Sequence, residues 1–541
     1  MKKTVKILVM TLVAVLLLAG CGGAEEHKTT TSRRDRVKSE KSEDKAKEDK
    51  DADKTADADI EEEELFEEPQ KEDVTGAADA DEQEVVEETA GTSEQEEPEK
   101  AEEKTEPAEE VVPVYENAKY SFDGETLYFS EGTYVGYELV EQAVEEYEIT
   151  KYEIKKIVLE EGILCIGDSA FYNCYDLSSV EMPDSLKTIE RGAFFRCVRL
   201  TDIEIPDGVT SIGESAFREC TRLAAIEIPA SVSCYGEAIF ADCTSLTSVK
   251  LPDNLTSITD SMFLGCKKLT GIEIPDSVTT IEAFAFSKSG LTAIEIPDSI
   301  TTIEMDAFWE CFDLTEVKLP DSITRIEDSV FQACGSLTSI EIPDSVTSIG
   351  VSAFAGCGSL TSIEIPDSVT EIGDEAFENC KRLTSIEIPE GITSIEDGMF
   401  EYCLSLTEIK IPNSVTSIGS FAFADCTSLT EIEIPAGVTF LGSGVFDGCS
   451  NLTKIEIPAG VTFIGDYEFR DCAGITEIKI PNGVTLIGGE AFAGSSITEI
   501  EIPAAVTYIG YDAFDTHVVI HAPAGSYAET WAQENGYTVT N

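Results

Sequence analysis

Proline returns at positions 183, 206, 229, 252, 275, 297, 320, 343, 366, 389, 412, 435, 458, 481 and 503, a spacing of 23 residues broken twice by 22. Each period reads approximately LTxIEIPDSVTxIGxxAFxxC, and an earlier copy begins at Ile157 with Glu160 in the proline slot, which makes sixteen copies. A unit this short cannot bury its own apolar face. Stacking on its neighbours does so, and the chain must therefore build a quasi-one-dimensional column.

Within one copy, Leu337, Ile340 and Ile342 follow an L-x-x-L-x-L spacing, the inward side of a short strand. Pro343-Asp344 ends it, because proline cannot donate to a ladder and Asp tolerates turn geometry. Val346 and Ile349 form a second apolar pair, Gly350 permits the next bend, and Phe354 and Cys357 fill the interior before Leu360 starts another coil. The expected fold is a leucine-rich-repeat solenoid of parallel stacked short strands over 153–516. At about 4.8 Å per coil it extends roughly 75 Å. Its apolar ends need caps, expected as a short β-rich segment over 114–152 and a strand plus short helix over 517–541. The run IEIPDSVTSIG followed by AFxxC resembles the BspA-type leucine-rich repeats of bacterial surface proteins, over about 157–514. That resemblance implies adhesion to host proteins or cells and coaggregation. The matching positions are core and turn residues, so it transfers no functional site.

The N-terminus speaks to location. Lys2, Lys3 and Lys6 precede an apolar run from Ile7 to Leu18, the layout of a secretory signal rather than a spanning helix, for which ~20 apolar residues are needed. Leu18-Ala19-Gly20-Cys21 resembles the lipobox of bacterial lipoproteins, which makes Cys21 the lipidation site and 1–21 the signal peptide. Residues 22–113 hold 35 acidic and 13 basic residues, a net charge of −22, with Phe66 as the only aromatic. Such a segment cannot form a core and is expected to be a disordered acidic tether, able to reach on the order of 300 Å when stretched.

Little here suggests chemistry. Thirteen of the sixteen cysteines, Cys174 through Cys472, occupy one repeat slot, where in-register neighbours stand too far apart for a disulfide. They are expected to be buried thiols acting as small apolar fillers. Cys165 and Cys234 share another slot and are expected to be more exposed. His27 lies in the tether, and His517 and His521 in the C-terminal cap are spaced too widely on a strand to ligate one metal. No nucleophile stands beside a base and no phosphate-binding glycine loop occurs. The chain is therefore not expected to be an enzyme or to carry a metal or cofactor. A formal net charge of −67 disfavours nucleic acid and anionic membrane surfaces, so membrane contact is expected through the N-terminal lipid alone.

Binding surfaces are the remaining reading. The middle residue of each IEIP strand is expected on the concave face, where Glu341, Glu364 and Glu387 belong to an acidic row interrupted by lysines at 250, 318, 410 and 479. A row of aspartates after the prolines, from Asp184 to Asp367, reads as turn residues. In the last four coils the position two residues after the second-wall valine becomes Phe440, Phe463, Leu486 and Tyr508, while the post-proline aspartate becomes Ala436, Ala459, Asn482 and Ala504. That stripe is either a partner-binding patch or packing under the C-terminal cap or against another copy. A second irregularity, Ser287-Lys288-Ser289-Gly290 in place of a cysteine segment, is followed by Trp309 and is expected to kink the column or repair packing. The function expected is a lipid-anchored surface protein presenting its array to host or bacterial proteins or glycans. The alternative is a structural or scaffolding lipoprotein of the envelope.

Overall fold

A computed structural model describes residues 115–541; the signal peptide, Cys21 and the tether at 22–113 lie outside the described residues. The repeats form a β-solenoid in which each coil contributes a short second-wall strand and a tight bend, and many coils add a short first-wall strand. On the first wall, strands such as Ser385–Glu387 and Glu408–Lys410 pair in parallel, Ile386 opposite Ile409. On the second, Ser348–Ile349 lies between Arg325–Ile326 and Glu371–Ile372, again with isoleucine opposite isoleucine. Register is fixed because a one-residue slip would turn these buried side chains to solvent. The turn between the walls is held by Val346 N–H donating to Pro343 O at 3.0 Å.

The third wall explains much of the remaining consensus. Ser352, Phe354 and Gly356 donate to Asp374 O, Ala376 O and Glu378 O of the next coil at 2.9, 2.9 and 2.7 Å. For alternate N–H groups to point along the column, two residues per coil adopt a left-handed backbone, here Ser352 (φ 53°) and Gly356 (φ 74°). Such a conformation costs ~1–2 kcal/mol for a residue with a Cβ, and its slots are accordingly rich in Gly, Asn, Asp and Ser. Gly350 has a different role from the one expected. Its φ is not left-handed; a Cβ there would sit 2.6 Å from Asp328 N, so the glycine admits the preceding coil's backbone. Where the slot holds glutamate the carboxylate serves instead, Glu190 accepting from Asp168 N at 2.9 Å and Glu282 from Asp260 N at 3.0 Å.

The core is a column of aromatic rings. From Phe171 to Phe514, one phenylalanine per coil stacks on the next with centroids 5.3–5.9 Å apart. The stack continues through the short coil, Phe286 and Phe308 lying 5.5 Å and 9° apart, so the expected interruption does not reach the spine. Beside it runs the thiol ladder. Cys357 Sγ lies 3.2 Å from Phe331 O and Cys380 Sγ 3.3 Å from Phe354 O, each thiol donating to the carbonyl of the coil before. All fifteen described cysteines are free, and burial pushes the ladder thiols well above their ordinary range, Cys357 up to about 12. Ser289 takes the slot in the short coil, its Oγ 3.4 Å from Cys311 Sγ.

Both caps extend the ladders. At the start, Thr126–Ser130 pairs in parallel with Lys156–Leu159 and antiparallel with Lys119–Phe122, so the terminal edge is covered by a strand of opposite sense. The β-rich expectation for 114–152 is incomplete, because Tyr137–Glu146 forms a helix, α1, burying Leu139, Val140 and Ala143 at i, i+1 and i+4. Its buried positions are only three, set among the acidic residues Glu138, Glu141, Glu145 and Glu146. At the other end Val519–His521, helix α2 (Tyr527–Glu534) and a further strand, Thr538–Thr540, close the column. Trp531 meets Phe514 edge-on at 6.2 Å, and Tyr537 Oη donates to Phe514 O at 2.7 Å.

Candidate interaction surfaces

The first wall carries the acidic row, and its lysines are placed to relieve it. Lys250, Lys318 and Lys410 pair with Glu227, Glu295 and Glu387 of the coil before. Each pair is about 70% exposed and solvent-screened; its consequence is a repulsion removed rather than a bond gained. Of the acidic residues singled out, Glu387 is thus neutralised by Lys410. Glu341 and Glu364 face one another across adjacent coils. The post-proline aspartates are exposed turn residues, and among the described residues no group of three or more His, Cys, Asp or Glu side chains is arranged to hold a metal.

The second wall carries the stripe. Phe463, Leu486 and Tyr508 are register partners on one parallel run, and Phe440 stands one coil earlier with its ring 5.5 Å from Phe463, edge to face. The residues are open to solvent, Phe440 at 47% and Tyr508 at 51%, with Phe463 half-buried. The C-terminal cap therefore does not cover them. It seals the end of the ring column instead, through Trp531. The surroundings are also uncharged: the Pro-to-Gly segments 412–419, 435–442, 458–465, 481–488 and 503–510 contain no Asp, Glu, Lys or Arg, whereas nine of the ten preceding proline-bearing segments contain at least one. Exposed Ala436, Ala459 and Ala504 lie on the turn side of the stripe. Beyond its glycines the same coils add Phe421, Tyr467 and Tyr511, the two tyrosine hydroxyls 2.9 Å apart. Those three were not anticipated from the sequence: Phe421 and Tyr467 share the first left-handed slot of the bend, which most other coils fill with Ser, Gly or Glu, and Tyr511 stands just after Gly510.

Two acidic features were also missed, one half-buried and one fully buried. Glu378, Glu375, Asp425 and Asp447 crowd Glu401 on the third wall, and burial followed by their charges pushes its carboxyl up to about 7. Glu468 is fully buried in a slot otherwise held by residues such as Ala491, Val445 and Met399. Neither of its oxygens has a hydrogen-bond partner of proper geometry. Burial drives its carboxyl well above the usual range, outweighing the opposing pull of the nearby backbone of Gly465 and Val445. The other slot predicted to be exposed divides. Cys234 is exposed, but Cys165 is buried, because the cap's Tyr115 and Tyr134 pack on this first coil and the thiol reaches Glu190 Oε1 at 3.4 Å. His521 of the C-terminal cap contacts Glu499 Oε2 of the last coil at 3.2 Å, and Lys288 Nζ lies 4.4 Å from the centroid of the Trp309 ring beside the short coil.

Comparison with known proteins places this architecture. No curated protein matches the chain in sequence. Among solved structures, a leucine-rich repeat protein from Bacteroides ovatus ATCC 8483 is 27% identical, covers 76% of this chain and 100% of its own, and superposes with a TM-score of 0.51. A leucine rich cell surface protein from Faecalibacterium prausnitzii A2-165 is also 27% identical over 68% of this chain and 94% of its own, with a TM-score of 0.38. The pneumococcal vaccine antigen PcpA is 15% identical over 79% of this chain and 98% of its own, with a TM-score of 0.35. The model of the BspA type leucine rich repeat region matches residues 142–270, 235–360, 301–414 and 393–520. These matches together span well over half of the sequence, and the chain belongs to the BspA-type leucine-rich-repeat family of bacterial proteins.

Proposed function

We propose that this chain is a lipid-anchored binding protein of the outer face of the bacterial envelope, an adhesin that presents its array to host or bacterial surface proteins or glycans. Cys21 carries the lipid in this reading, and the acidic segment 22–113 holds the array away from the membrane. The contact surface is the stripe Phe440, Phe463, Leu486 and Tyr508. One observation carries it: in a chain of net charge −67, five consecutive coils present an uncharged wall from which aromatic side chains project. Over most of the array an approaching acidic surface meets like charge. On this wall it does not, and exposed rings supply the apolar area on which partner contacts concentrate. Repeat stacking gives the surface a rigid frame, so little ordering entropy is lost on binding.

Protease treatment of intact cells tests the display. Loss of the array with retention of cytoplasmic proteins is the expected result, and Cys21→Ala is expected to release the protein into the medium. An array shielded until the envelope is disrupted would instead establish an envelope scaffold.

A further inference from the structure

A cleft of about 640 Å3 opens at the N-terminal end of the array, between the start of α1 and the first coil. Its volume falls in the range of small-molecule sites, ~300–1,000 Å3. Three tyrosines line it, and each ring is held by a different partner. Tyr134 stacks on Tyr115 at 5.5 Å, Tyr172 stacks on Phe195 at 5.4 Å, and Lys151 Nζ sits 4.3 Å from the centroid of Tyr137. Tyr134 also lies against Gly136 and Gly167, at positions where a Cβ would collide with its ring. Aromatic walls held in this way lose little freedom when a ligand arrives.

The polar lining is mixed. Asn117 contributes an amide, the tyrosines contribute phenols, and Glu138 and Asp168 contribute carboxylates. Arg191 takes up the charge of Asp168 through Nε and Nη2 at 3.0 and 2.9 Å, and Lys151 is paired with Glu141 at 2.6 Å. The nearby cations are thus already matched, and Glu138 leaves the cleft mildly acidic. Its lining is too polar for a hydrocarbon, its field is wrong for an acidic ligand, and its neighbouring ion pairs leave one carboxylate for a cation. Flat aromatic faces combined with amide, phenol and carboxylate groups suit a molecule with C–H faces and many hydroxyls.

We propose that this cleft is a binding site for a neutral sugar residue, which would seat against the Tyr137 and Tyr172 rings and share its hydroxyls with Asn117, Glu138 and Asp168. The site goes beyond the stripe, which lies in the last coils of the array, and neither depends on the other.

The test is titration of the full chain with methyl glucoside, methyl galactoside and N-acetylglucosamine, followed by saturation-transfer NMR and tyrosine fluorescence. Glucuronic acid and arginine amide serve as counter-probes. At least one neutral sugar is expected to bind saturably, glucuronic acid is expected not to, and Tyr137→Ala is expected to weaken binding about tenfold. Tyr137 is 43% exposed at the first turn of α1, so the change leaves the core intact; Glu138→Gln, on the surface, gives a second reading with an expected loss of a few-fold. Phe463→Ser is expected to leave sugar binding unchanged, which separates this site from the stripe. Absence of neutral-sugar binding, binding indifferent to Tyr137→Ala and Glu138→Gln, or preference for arginine amide would each overturn the proposal.

Discussion

Replacing Glu468 by methionine is expected to stabilise the array, although it removes a charged residue from an acidic protein. The side chain is fully buried with both carboxyl oxygens unpartnered. Met262 and Met399 occupy the same slot in other coils without exposure, so methionine fits the space. Leaving a buried polar group unsatisfied costs ~1–3 kcal/mol and more when it is charged, which sets the expected gain. The sign with pH follows from the raised folded-state value. Between the unfolded carboxyl's ordinary value of about 4.3 and that raised value, the folded chain holds a proton that the unfolded chain has released. Stability contributed by this group is therefore present at low pH and lost as pH rises. Glu401 and Asp306, whose carboxyls are each pushed up to about 7 by burial and neighbouring acids, act in the same direction. The variant must therefore be compared with the parent at each pH. Hydrogen exchange reads the local effect, since openings in a repeat array are regional. At neutral pH, amides around Cys449, Cys472 and Phe492 are expected to gain roughly five- to hundredfold protection, and the gain is expected to shrink toward pH 5. Unchanged or lower protection at pH 7 would refute the reasoning.

Ala333 adopts a left-handed backbone (φ 60°) in a slot held by glycine at 265, 356, 448 and 494; Ala333→Gly is expected to stabilise by about 0.5–1 kcal/mol, measured by urea denaturation. Among the array's thiols, only Cys234 is expected to react quickly with a thiol reagent in the native state, because it is exposed while Cys165 and the ladder are buried; quantitative labelling before and after denaturation reads this directly. Cys357→Ser is expected to cost only about 1 kcal/mol, since Ser289 already fills the same slot in another coil, as judged by the midpoint of denaturation.

Periodicity made most of the core legible, because burial repeats wherever the apolar pattern repeats. Leu337, Ile340, Ile342, Val346, Ile349, Phe354 and Cys357 are all buried as their spacing implied. The thiols, read only as fillers, also donate to phenylalanine carbonyls, a geometry that sequence spacing does not specify. The left-handed residues were visible in outline as Gly, Asn, Asp and Ser recurring at fixed slots, but their purpose depends on carbonyls 22 residues further on. Helix α1 and the burial of Cys165 were hidden for another reason: the cap breaks the repeat, so no neighbouring copy shows which side of each residue faces inward. The stripe at Phe440, Phe463, Leu486 and Tyr508 was found because it departs from a regular row. The N-terminal cleft has no such row, and its tyrosines come from three separate segments.

The most direct test is binding of the soluble segment 114–541, alongside its Phe440→Ser, Phe463→Ser and Tyr508→Ser variant, to panels of host matrix proteins, glycans and neighbouring bacterial cells. All three residues project from the second wall with at least partial exposure, so circular dichroism should confirm that the variant remains folded. Saturable binding to a panel member that is lost in the variant is the predicted result. Binding by both proteins alike would contradict the stripe as contact surface, and no binding by a folded parent would contradict the adhesin itself.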